Sequence, residues 1–88
     1  MSEAVIEVRF FAALRERVGE EVLRVSPPPA VTTVAALCDW LAAGYPAVAT
    51  ALEATPRRMV AINEELATPD SAVAAGDTVA LFPPVTGG

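Results

Sequence analysis

The stretch "TTVAALCDWLAAGYP" (Thr32–Pro46) decides how the rest of the chain is read. Val34, Leu37, Cys38, Leu41 and Tyr45 recur at i, i+3, i+4, i+7 and i+11, the spacing of one apolar stripe along an amphipathic helix. Thr33 stands where an N-cap hydroxyl belongs, so the helix is predicted to start at Val34. Gly44 and Pro46 are predicted to end it. On this stripe Cys38 reads as a small buried hydrophobe rather than a reactive thiol. Trp40, beside the stripe, reads as packing.

Working toward the N-terminus, the prolines at 27–29 stop a strand, because proline cannot donate to a ladder. That strand is "EEVLRVS" (Glu20–Ser26). Before it, "AVIEVRFFA" (Ala4–Ala12) is rich in β-branched and aromatic residues and reads as its hairpin partner. "LRERVG" (Leu14–Gly19) between them reads as a short turn or helical loop closed by Gly19. Working toward the C-terminus, "AVATALEA" (Ala47–Ala54) adds a short helical segment. A strand over Arg58–Ile62 follows, then a tight turn at Asn63–Glu65 and a short returning strand at Leu66 and Ala67. "AAGD" (Ala74–Asp77) is a turn and "TVALFP" (Thr78–Pro83) a last strand.

Strands on both sides of one long helix predict an α+β layer arrangement, a mixed sheet with one main helix packed across a face. A ubiquitin-like β-grasp satisfies this order. Its last strand lies centrally beside the first and would launch an extended C-terminal tail from a rigid base. The pattern therefore predicts one domain over 1–83 and a flexible Gly-Gly tail over 84–88. Alternation along the first and last strands separates Ile6, Val8, Phe10, Val79 and Leu81 from Phe11 and Phe82. If the first set packs on the helix, Phe11 and Phe82 form an outward aromatic pair, the signature of a protein contact. Otherwise the helix takes the other face, or residues 47–56 cover the pair.

Composition narrows the chemistry. The 88 residues are 53% hydrophobic, enough for one core and far from a disordered composition. A net charge of −5 argues against nucleic acid and against an anionic membrane surface. All six basic residues are Arg, with no Lys and no His. That removes an imidazole base, a His-ligated metal and a Schiff-base amine. It also leaves no side-chain amine to accept the chain's own C-terminus. One cysteine allows neither an internal disulfide nor a CxxC pair. No secretory signal and no apolar run of roughly 18–20 residues is present, so a soluble cytoplasmic domain is the expectation. Arg9, Arg15, Glu20 and Glu21 read as solvated charge or polar rim, and Met59 shows no chemical role.

Four segments together carry a resemblance: "RFFAALRERVG" (Arg9–Gly19), "TTVAALCDWL" (Thr32–Leu41), "VAINEEL" (Val60–Leu66) and "GDTVALFPPVTGG" (Gly76–Gly88). They are similar to the small, sulfur-carrying subunits of molybdopterin synthase, the MoaD-type members of the MoaD/ThiS ubiquitin-like group. The resemblance runs from Val5 to Gly88. The proline triplet at 27–29 and the Arg57–Arg58 pair are local departures.

The resemblance implies a carrier that is not a catalyst on its own. Its Gly88 is adenylated by an E1-like enzyme using ATP and converted to a thiocarboxylate. Its sulfur goes to cyclic pyranopterin monophosphate inside the large synthase subunit, in a heterotetramer with two of each chain. No cofactor or metal is bound by the carrier itself. Phe11, Leu66 and Phe82 match the family's partner interface. Pro83 and Pro84 restrict the exit to extended chain. Val85 and Thr86 form a link, and Gly87 and Gly88 the slim tip. Three other readings stand beside this one: a carrier for thiamine or tRNA thiolation, a ubiquitin-like modifier joined to target amines, and a binding module with an inert tail.

Overall fold

A computed structural model describes residues 5–84. Five strands and three helices follow in the order β1 (Ile6–Phe10), α1 (Ala12–Val18), β2 (Val22–Val25), α2 (Val34–Gly44), α3 (Pro46–Ala54), β3 (Met59–Ile62), β4 (Glu65–Ala67) and β5 (Thr78–Phe82). The sheet order is β2-β1-β5-β3-β4. β1 and β5 run parallel, with Val8 opposite Val79, and the other neighbours are antiparallel. The last strand is therefore central and hydrogen-bonded on both sides, as the β-grasp reading expects.

The strand alternation explains the layering. Ile6, Val8, Phe10, Val25, Val60, Val79 and Leu81 are buried on one face, in a single cluster with Leu14, Val34, Leu37, Cys38, Leu41, Val48, Ala51 and Leu52 of the helices. The helices thus take the face of Ile6, Val8 and Phe10, and leave the opposite face of the sheet open.

α2 spans eleven residues and buries Val34, Leu37, Cys38 and Leu41, as the stripe predicts. Its first turn is well satisfied. Ala36 N–H donates to Thr33 Oγ1 at 3.2 Å, Val34 N–H to the Ser71 carbonyl at 3.0 Å, and Ala35 N–H to the Pro69 carbonyl at 2.9 Å.

Several boundaries differ from expectation for identifiable reasons. Gly44 is the last helical residue of α2 and does not take the left-handed conformation. Instead the chain turns through extended Tyr45, and Pro46 starts α3 at its first position. The 14–19 segment is a true helix starting at Ala12, with Leu14 and Val18 buried at i and i+4. Gly19 ends it at φ 85°, its N–H on the Arg15 carbonyl. Ala12 belongs to this helix rather than to β1, because its φ of 54° turns the chain out of the strand. β5 ends at Phe82, before Pro83, which has no N–H to give the ladder.

Candidate functional site

The open face of the sheet is built by residue parity. The register places Arg9, Ala80, Ala61 and Leu66 in one row across β1, β5, β3 and β4, with Phe82 opposite Met59 in the next row. Phe11 N–H donates to the Leu81 carbonyl at 3.1 Å, which continues the β1–β5 ladder one step and brings Phe11 alongside the end of β5. Phe11, Phe82, Met59, Ala80, Ala61 and Leu66 therefore form an apolar stripe on the face the helices leave uncovered.

Leu66 is 71% exposed and Phe11 43% exposed, the exposed large hydrophobics among the described residues. Phe82, expected outward with Phe11, is half-buried. It sits on a central strand opposite Met59, whereas Phe11 has passed the strand end and stands at the N-cap of α1. The structure thus brings Phe11 and Phe82 together at one end of the stripe and sets Leu66 on the edge strand at its far side.

Polar groups border the stripe. Glu7 accepts from Arg9 Nε at 2.9 Å and from Arg24 Nη2 at 3.2 Å. The Arg9 hydrogen bond chiefly holds the Glu7 carboxyl below its ordinary range, and Arg24 adds to this. A shallow hollow of about 560 Å³ lies between Arg9, Phe11, Asn63, Glu64, Thr78 and Ala80.

The sequence shows the Asn63–Glu65 turn and the Ala74–Asp77 turn separately, and the fold joins them. Asn63 Oδ1 accepts from Thr78 N–H at 3.0 Å, and Asn63 Nδ2 donates to Asp77 Oδ1 at 3.1 Å. Asp77 Oδ2 accepts from Ala74 N–H at 2.9 Å. Gly76, at φ 92°, donates its N–H to the Val5 carbonyl at 2.8 Å. These contacts fix the start of β5 between β1 and β3. The knot was not legible in the sequence, because it depends on two turns 14 residues apart meeting in space.

On the helical side, a cavity of about 360 Å³ lies between α2, the start of β3 and the 67–69 segment, bordered by Cys38, Asp39 and Arg58. Arg58 Nη1 donates to the carbonyls of Leu52 and Thr55, closing the C-terminus of α3. Cys38 is only 6% exposed, and burial pushes its thiol up against the pull of Arg58. Among the described residues no group of His, Cys, Asp or Glu is arranged to hold a metal ion. No helix among them is long and apolar enough to cross a membrane.

Pro83 is half-buried and Pro84 exposed directly after β5. Val85, Thr86, Gly87 and Gly88 lie outside the described residues.

Comparison with known proteins bears on the whole chain. The molybdopterin synthase sulfur carrier subunit of Escherichia coli is 42% identical over 84 residues, covering 96% of this chain and all of that protein. Small archaeal modifier protein 1 of H. volcanii superposes with a TM-score of 0.75 at 35% identity, covering 94% of this chain and 100% of that one. A chain in the complex of subunits 1 and 2 of molybdopterin-converting factor from Helicobacter pylori gives a TM-score of 0.62 at 26% identity, covering 96% and 99%. The ThiS family model matches residues 8–88, from inside β1 through both terminal glycines, and the chain belongs to that family.

Proposed function

We propose that this chain is the sulfur-carrying small subunit of a molybdopterin synthase and that the carboxylate of Gly88 is the group it carries into the reaction. The observation that supports this most is the 42% identity with the Escherichia coli carrier subunit over that protein's full length, joined to a family match that extends through Gly88.

The chemistry suits the residue types. A free carboxylate is a poor acyl donor, because oxide is a poor leaving group. An E1-like enzyme joins the Gly88 carboxylate oxygen to the α-phosphorus of ATP and releases pyrophosphate. Hydrosulfide then attacks the carbonyl carbon, AMP departs with the C–O bonding pair, and after loss of the S–H proton a thiocarboxylate remains. This chain contributes position rather than catalysis. The open face with Phe11, Phe82 and Leu66 docks on the large subunit. Pro83 and Pro84 lead the tail toward that subunit's active site, where cyclic pyranopterin monophosphate takes the sulfur. ATP is a substrate of the activating enzyme, not a group held by the carrier. The Helicobacter pylori complex of subunits 1 and 2 supports a large-subunit partner. Two carriers on a large-subunit dimer, in the cytoplasm, complete the proposal.

Intact mass spectrometry of protein isolated from its native cells tests it. A gain of about 16 Da at the C-terminal peptide, sulfur for oxygen, is the expected result. Deleting Gly88 is expected to abolish molybdopterin formation while leaving the unfolding midpoint unchanged, and retained synthesis would sink the proposal. The likeness to the small archaeal modifier protein supports a second reading, attachment to amines of other proteins. Amide-linked adducts ending in Gly88 in the same cells would establish that reading.

A further inference from the structure

We infer that the side chains of the folded protein are inert toward its own activated terminus, so that an acyl group formed at Gly88 is kept from them for acceptors supplied by other molecules. The inference rests on the proposal that Gly88 is activated as an acyl donor. Any acceptor on the chain would have to put a lone pair on the Gly88 carbonyl carbon, expel AMP or a thiol with the bonding pair, and release its own N–H, O–H or S–H proton to solvent.

The 88 residues contain no lysine, so no side chain offers a primary amine. The basic residues are all arginine, which stays protonated near neutral pH and holds no free lone pair. With no histidine, no imidazole is present to activate a serine or threonine hydroxyl. The Tyr45 phenol is half-buried, packed against the hydrophobic core.

The thiol is the remaining strong nucleophile, and the fold withdraws it. Cys38 lies on the buried stripe of α2 and is 6% exposed. Its burial also disfavours the thiolate, the form that attacks acyl carbons. Composition and packing thus remove every fast intramolecular acceptor except the N-terminal α-amine. If the terminus does reach an amine of another protein, this chain offers no side-chain amine on which a second copy could be added.

The test uses the full chain carrying a 2-mercaptoethanesulfonate thioester installed chemically at Gly88. It is incubated folded at pH 8 and followed by intact mass and peptide mapping. The wild-type thioester is expected to hydrolyse, with any amide confined to the N-terminal α-amine. The charge-preserving variant R57K provides the contrast. Arg57 is exposed, two residues before Met59, which pairs with Phe82 where β5 ends. Five tail residues reach at most about 17–18 Å. R57K is expected to form a side-chain amide at least tenfold faster than any side-chain adduct of the wild type.

In unfolding urea the wild type is expected to gain a hydroxylamine-sensitive adduct at Cys38, absent from C38S. Side-chain adducts in the folded wild type at the R57K rate would overturn the inference. Equal Cys38 exchange in folded and unfolded protein would overturn it too. Because the thioester is made chemically, neither result depends on thiolation in the cell. Absence of the 16 Da gain would remove the carrier proposal and leave this result standing.

Discussion

Asn63 and Glu64 are the two loop residues between β3 and β4, and both have positive φ, at 51° and 72°. A two-residue hairpin loop with this sign at both positions favours asparagine followed by glycine. Asn63 fits twice over, through its backbone tolerance and its two side-chain bonds to Asp77 and Thr78. Glu64 meets the left-handed region with a Cβ, at a cost of about 1–2 kcal/mol. Glu64→Gly is therefore expected to stabilise the protein by about 1 kcal/mol, read as a higher urea midpoint. Asn63→Ala is expected to destabilise it by about 2 kcal/mol, because it strands the Thr78 N–H and loses the backbone preference. Glu7 makes a separate prediction. Its carboxyl is held low chiefly by Arg9. A group lowered on folding adds stability above its unfolded pKa, and loses it as pH falls through the folded value. A Glu7 titration followed by NMR is expected to move upward in Arg9→Ala, and the acid limb of stability is expected to flatten in Glu7→Gln. Glu7 and Arg9, two residues apart on β1, share a strand face by alternation alone, but Arg24 joins them only through the β1–β2 register.

Elements were legible wherever periodicity was strong and both ends carried a chemical signal. α2 has both a stripe and a capping hydroxyl, and its start was read at the residue where it occurs. Thr33→Ala is expected to cost about 1 kcal/mol, measured by thermal or urea unfolding, since Ala36 N–H then loses its partner. α1 was harder to read. Seven residues supply only two buried positions, its N-cap Phe11 offers no side-chain acceptor, and its entry depends on an alanine at positive φ. Such a helix is set by tertiary packing, here against β5 and α3 rather than by its own propensity. At the α2–α3 corner the end of α2 was legible at Gly44, and the next helix starts one residue earlier than its sequence suggests. A glycine followed two residues later by proline suggests a stop, and the fold uses the proline as a new beginning.

At the scale of the whole molecule, the topology followed from the order of elements, because few arrangements accommodate strands on both sides of one long helix. The open face was legible as alternation, but its width was not. Leu66 joins Phe11 and Phe82 on one surface through two strand pairings; the turn at Asn63–Glu65 displays the β3–β4 return, but nothing in the sequence displays the β3–β5 pairing. Because Leu66 is exposed on an edge strand, Leu66→Asp is expected to shift stability by less than about 0.5 kcal/mol. The same substitution is expected to weaken binding to the large subunit by about tenfold or more, measured by titration calorimetry on the two full chains. The position of β5 has a mechanical consequence. A load applied at Pro84 runs along a strand flanked by β1 and β3 on both sides. Neighbouring ladder bonds must then yield together in shear, rather than one after another as in peeling an edge. If a partner holds the tail as proposed, the domain meets that pull in its stiffest direction, as a cleat holds a rope under tension.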